Sequence, residues 1–140
     1  MECGECTACC SVLKIDALDK PAYTPCTHCN KGCTIHKTKP QTCTEFECGY
    51  YQGKNIPIEL RPDNCGIIFI KKTDRIFSGL IVPGVEVTDI AKGQIKAFND
   101  QGYSVILLKQ GANQFHLMLA DGHRAEDIYK EYQEYLSGNI

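Results

Sequence analysis

The distribution of apolar residues changes character at Asn64-Cys65-Gly66. Beyond it, Ile67-Ile68-Phe69-Ile70 and Arg75-Ile76-Phe77-Ser78-Gly79-Leu80-Ile81 are short apolar runs joined near Lys72-Thr73-Asp74, the signature of a β-hairpin. Thr88 or Asp89 can cap a helix that brings Ala91, Ile95 and Phe98 onto one face, with Gly102 closing it. Tyr103 to Lys109 and Gln114 to Leu119 flank Gln110-Gly111-Ala112-Asn113, which predicts a second hairpin with Phe115, Leu117 and Leu119 on a common face. A last helix, with Asp121 or Gly122 near its start, spaces Ile128, Tyr132, Tyr135 and Leu136 at i, i+4, i+7 and i+8. The order over residues 66–140 is therefore ββαββα. It predicts an α+β domain, an antiparallel sheet with both helices on one face.

Residues 1–65 show neither period. Pro21, Pro25, Pro40, Pro57 and Pro62, with Gly4, Gly32, Gly49 and Gly53, interrupt every stretch long enough to carry one. Of the large aliphatics, Met and Phe, residues 1–50 offer only Met1, Val12, Leu13, Ile15, Leu18, Ile35 and Phe46, too few to offset chain entropy by burial. A loop-rich segment of this kind needs another source of order. All ten cysteines lie in residues 1–65, the first nine within residues 3–48.

Compartment decides how such a density is read. The chain opens Met1-Glu2-Cys3 without a basic stretch leading into an apolar run, and nothing approaches the length of a membrane span, so a cytoplasmic location is expected. Thiols stay reduced there, and the pattern reads as metal ligation or redox chemistry before it reads as a disulfide framework. Net charge is −2 and evenly divided: seven basic and eight acidic side chains in residues 1–65, eight and nine in residues 66–140. No basic face follows from that balance, which disfavours nucleic acid as a partner. Lys31, Lys37 and Lys39 cluster beside the cysteines, where they would offset thiolate charge.

The cysteines fall in three groups: Cys3-x2-Cys6-x2-Cys9-Cys10, Cys26-x2-Cys29-x3-Cys33 and Cys43-x4-Cys48. A Cys-x2-Cys turn lets two sulfurs converge on one ion. As small core hydrophobes they would need an apolar neighbourhood that this segment lacks. Adjacent Cys9 and Cys10 are expected to diverge and so to serve two sites, or a bridged pair. Two tetrahedral sites would use eight thiolates, each structural zinc contributing on the order of 10 kcal/mol.

Cys3-x2-Cys6-x2-Cys9-Cys10, Cys33-Thr34-Ile35-His36 and Lys39-Pro40-x2-Cys43-x2-Phe46-x-Cys48 resemble the YkgJ-like cysteine-cluster proteins, described as zinc- or iron-chelating domains. The likeness covers roughly residues 3–70. It implies Cys3, Cys6, Cys9, Cys10, Cys26, Cys33, Cys43 and Cys48 as ligands and no particular activity. His36, Lys39 and Cys29 depart from the usual Tyr, Arg and apolar residue. Cys29 is accordingly either a ninth thiolate or a spectator.

Zinc leads among the metals because soft thiolates in closed tetrahedral sets suit it. An iron–sulfur cluster is the alternative: Cys3, Cys6 and Cys9 match the first three positions of a ferredoxin run, but Cys10 follows at once. His28 and His36 could each replace a thiolate, while His116 and His123 read as surface residues, and Cys65, just before a strand, as a structural thiol. Hydrolase, phosphate-loop, metalloprotease and dinucleotide signatures are missing, and no catalytic residue is named; Glu45 and Glu47 are the nearest proton carriers. The leading expectation is a binding or scaffold module holding two zinc ions, against an iron–sulfur oxidoreductase or electron-transfer protein. Tyr129, Tyr132 and Tyr135 form either a core stripe or a surface for a protein partner.

Overall fold

A computed structural model describes residues 6–29, 33–35, 37–46, 48–52, 56–109 and 115–138, with backbone alone at 44, 45, 51 and 52. Four strands form one open sheet in sequence order: β1 (Ile67–Lys71), β2 (Ile76–Ile81), β3 (Ser104–Leu108) and β4 (His116–Met118). β1 pairs antiparallel with β2, placing Ile67 opposite Ile81, and β3 pairs antiparallel with β4, placing Ile106 opposite Leu117. Between them β2 and β3 run parallel, with Ile76 opposite Ser104 and Leu80 opposite Leu108. The sheet is mixed, not antiparallel as the element order predicts. A twelve-residue helix, α5 (Asp89–Asp100), carries the chain back along the sheet between those two strands, as a parallel connection requires.

The helices also divide between the two faces. Ala91 and Ile95 of α5 pack on Ile67, Phe69 and Val105, and Phe98 stacks on Phe77 at 4.1 Å between ring centroids. On the opposite face, Ile128 and Tyr132 of α6 (Ala125–Leu136) pack on Ile76 and Ile106. Strand alternation sets this division, since Ile67 and Phe69 point away from Ile68 and Ile70, yet all four are buried. The Ile68 and Ile70 side is buried by Ala8, Val12 and Cys48 of the cysteine-rich segment, so the sheet needs cover on both faces. Thr88 caps α5 as predicted, its Oγ1 accepting from the Ala91 N–H at 3.2 Å. Leu136, expected on the packed face of α6, is 64% exposed, Leu119 lies partly exposed beyond β4, and the tip of the second hairpin falls outside the described residues.

The remainder of that second face is covered by the cysteine-rich segment itself. Short helices α1 (Ala8–Val12), α2 (Gln41–Glu45), α3 (Gly49–Gln52) and α4 (Pro62–Cys65), with 3-10 turns at Asp16–Leu18 and Ile58–Leu60, punctuate the loops. Ala8 and Val12, one helical turn apart, bury themselves with Cys48 against Ile68, Ile70 and Val82. α3 lies against β1: a Cβ on Gly49 would stand 2.7 Å from the Phe69 carbonyl oxygen, so only glycine allows this approach. Gly66, at φ +85, turns the chain from α4 into β1.

Candidate metal centre

α1 has two functional sides. Its Ala8 and Val12 side is packed on the sheet, and Cys6 and Cys9 lie against the same apolar cluster, which also holds Cys48. Cys10 follows Cys9 in the same helix, about 100° further round it.

A backbone hydrogen bond brings the second cysteine group to Cys10. The Cys26 N–H donates to the Cys10 carbonyl at 2.9 Å, and the Cys29 N–H to the Cys26 carbonyl at 3.1 Å, closing the Cys-x2-Cys turn. Cys29 and Cys33 form an antiparallel bridge, and the Thr34 N–H and Oγ1 both donate to the His28 carbonyl at 2.8 Å. In α2, the Cys43 N–H donates to the Pro40 carbonyl at 3.0 Å.

Electrostatics follow from that convergence. The hydrogen bond to Cys9 pushes the Cys10 thiol well up, burial and the Cys9 charge add to it, and a hydrogen bond from Cys29 partly opposes it. Burial raises the Cys43 thiol, reinforced by the charges of Cys10, Cys33 and Cys26, with Lys39 opposing. Cys10, Cys26, Cys29, Cys33 and Cys43 therefore form one neighbourhood. Cys6, Cys9 and Cys48 lie with the apolar cluster on the packed side of α1, and Cys10 is the next residue of that helix. Arg61 makes a two-pronged ion pair with Asp63 at 2.6 and 2.8 Å that raises its guanidinium, with the Cys6 charge adding to the shift.

No disulfide links the described cysteines. Among the described residues, no three or more His, Cys, Asp or Glu side chains are closed to metal-holding geometry. Cys3, His36, Lys31 and Glu47 lie outside those residues, as does the side chain of Glu45. Cys65 is fully buried, its thiol directed at the carbonyls of Ile67 at 3.3 Å and Leu60 at 3.5 Å, and burial raises that thiol. That geometry is structural. Tyr132 is core, while Tyr129 is partly exposed and stacks on Phe115.

Two features escape sequence reasoning. Lys20, placed by a β-bridge to Ile15, is 6% exposed, its Nζ donating to the carbonyls of Leu13 and Pro21. His123 is not a plain surface residue: its Nδ1 is 2.8 Å from the Oγ of buried Ser104, which also accepts from the Ala120 N–H at 3.0 Å. No signal in the sequence links these positions.

Among the described residues no helix is long and apolar enough to cross a membrane. Compared with known proteins, the chain matches no family model, no curated protein and no solved structure.

Proposed function

We propose that this chain is a metal-binding protein whose N-terminal cysteines hold two ions, zinc first among them, as a module scaffolded by the mixed sheet. The observation that supports the reading is the approach of cysteine blocks separate in sequence: the Cys26 N–H donates to the Cys10 carbonyl at 2.9 Å, Cys29 and Cys33 form a bridge, and the charges of Cys10, Cys33 and Cys26 act on Cys43. Cys10 and Cys43 hold protons that an ion would displace on binding. Cys6, Cys9 and Cys48, with Cys3 preceding them in the chain, supply the second set, and the resemblance to the YkgJ-like proteins implies the same eight cysteines as ligands without dividing them. Zinc bound by thiolates would tie the blocks together with on the order of 10 kcal/mol, where apolar burial is scarce. The chain's own part is to hold α1 on the sheet through Ala8 and Val12 and to pin Cys26 to the Cys10 backbone.

The test is purification without oxygen, followed by zinc and iron per chain by mass spectrometry and a visible spectrum. Near two zinc with no colour is expected, and Cys43→Ser should lower it toward one while Cys65→Ser keeps both. Iron with sulfide and brown absorbance would replace this reading with electron transfer, and no metal at all would refute it.

A further inference from the structure

Cys29 stands outside the eight ligands implied above, and the backbone gives it a partner. It lies directly opposite Cys33 in an antiparallel bridge. The hydrogen bond that frames the bridge runs one residue outside the pair, from the Thr34 N–H to the His28 carbonyl at 2.8 Å, and the Thr34 hydroxyl donates to the same carbonyl at 2.8 Å. A pair enclosed in this way is of the non-hydrogen-bonded kind, the narrower of the two in an antiparallel ladder, with Cα atoms about 4.5 Å apart and side chains side by side on one face. Disulfides span Cα separations of about 4.4–6.8 Å, so this register accepts an S–S bond with little movement of the backbone. On the other side of Cys29, its own N–H donates to the Cys26 carbonyl at 3.1 Å and fixes the turn that carries it. Both cysteines are half-buried, within reach of a small solute, unlike Cys65, whose thiol is directed at two carbonyls in the core.

We propose that Cys29 and Cys33 are a redox-active dithiol that closes to an intramolecular disulfide by exchange with a small disulfide of the glutathione class. One cysteine, as thiolate, attacks a sulfur of the small disulfide, whose S–S bond breaks as a mixed disulfide forms and one small thiolate departs. The opposite cysteine, as thiolate, then attacks the protein sulfur of the mixed disulfide and expels the second small thiolate. The protein pair gives up two electrons and two protons, and the small disulfide takes up both as it becomes two thiols. The bridge serves the second step by holding the resolving sulfur beside its target, which makes that step intramolecular. None of this requires bound metal, and a Cys33 sulfur committed to the disulfide is no longer a thiolate ligand.

The experiment uses the full-length chain as purified without oxygen. It is given one equivalent of glutathione disulfide, the remaining thiols are alkylated, and trypsin cleavage after Lys31, which separates Cys29 from Cys33, is followed by peptide mass spectrometry, with zinc and iron counted on the same sample. The first disulfide to form should join Cys29 to Cys33, and Cys26→Ser should form it as wild type does. Cys29→Ser should instead keep glutathione on Cys33, and Cys33→Ser on Cys29, about tenfold above the wild-type level of adduct, because no opposite thiol resolves it. A first disulfide between Cys26 and Cys29 or any other two cysteines, lasting adducts in wild type with no link, or no oxidation at all would overturn the pairing. The wild-type map decides this alone should a serine variant misfold. A chain that holds no metal yet forms the link would overturn the metal reading and leave the dithiol standing, and two bound ions without the link would do the reverse.

Discussion

Ser78 offers the sharpest test of how the two halves of the second sheet face are joined. It sits in β2 between Ile70 of β1 and Ile106 of β3, is fully buried, and its Oγ is the one buried side-chain polar atom among the described residues without a hydrogen-bond partner. Ile70 belongs to the cluster beneath the cysteine-rich segment and Ile106 to the cluster beneath α6, so the hydroxyl lies at their seam. Leaving such a donor unsatisfied costs about 1–3 kcal/mol. Ser78→Ala removes the hydroxyl and little else, sacrificing one oxygen's worth of packing, and should stabilise the fold by about 1–2 kcal/mol. For a chain of 140 residues the unfolding entropy is about 0.3 kcal/mol/K, so Tm should rise by roughly 3–7 °C. Calorimetry at fixed metal loading measures it, because bound metal shifts Tm by itself. A variant that melts 3 °C or more below wild type would show that the hydroxyl has a partner, and the seam would have to be redrawn around it.

Ser104→Ala should cost about 1–3 kcal/mol, since it strips the buried Ala120 N–H of its acceptor, and a double-mutant cycle with His123→Ala in urea should return a coupling near 1 kcal/mol; additive losses would dissolve the pair. In metal-free, reduced protein the thiols of Cys10, Cys43 and Cys65 hold their protons more tightly folded than unfolded, through the hydrogen bond to Cys9 at Cys10 and burial at the others. Their contribution is complete below about pH 8.5 and is lost as pH rises from there, by at most about 1.4 kcal/mol per pH unit for each thiol. Burial lowers Lys20 and acts in the opposite sense, but it is one group against three, so the urea midpoint should fall between pH 7.5 and 9.5; a rise would contradict the burial of these thiols. Stripping metal with a chelator should release amide protection in residues 26–43 while β1 to β3 keep theirs, and uniform release across the chain would sink that hierarchy.

Much of the fold was legible because local chemistry and tertiary demand agree. Thr88 caps where a short hydroxyl side chain should, the β-branched runs are strands, and Ile128 and Tyr132 share a buried face. The parallel pairing of β2 with β3 was not, because element order fixes which strands are available and leaves their direction to the connection. One signal did exist. Ile67-Ile68-Phe69-Ile70 is continuous rather than alternating, and a run buried on both sides implies cover on both faces. At the candidate site, the cysteine blocks are visible in the sequence, but which of them meet, as Cys26 meets the Cys10 backbone, is not. Lys20 looks like any solvated lysine until the Ile15 bridge turns it inward, and Ser104 and His123 are neighbours only once β3 is placed.

The same placement explains why so little apolar content suffices in residues 1–50. Counting large aliphatics alone understates it, because Ala8 is among the most buried residues of the segment and borrows its partners, Ile68, Ile70 and Val82, from the sheet. Burying Val12 contributes about 1.5–3 kcal/mol, enough to seat one helical turn but not to order the loops that follow. Cys26, Cys29 and Cys33 have backbone turns and one another, with no comparable apolar anchor. Order in the segment is therefore graded. The sheet holds α1, α1 presents Cys9 and Cys10, and the later cysteines close onto a side that is already fixed. On the metal reading proposed above, an ion would have only the later cysteines to draw in, which lowers the ordering entropy set against binding.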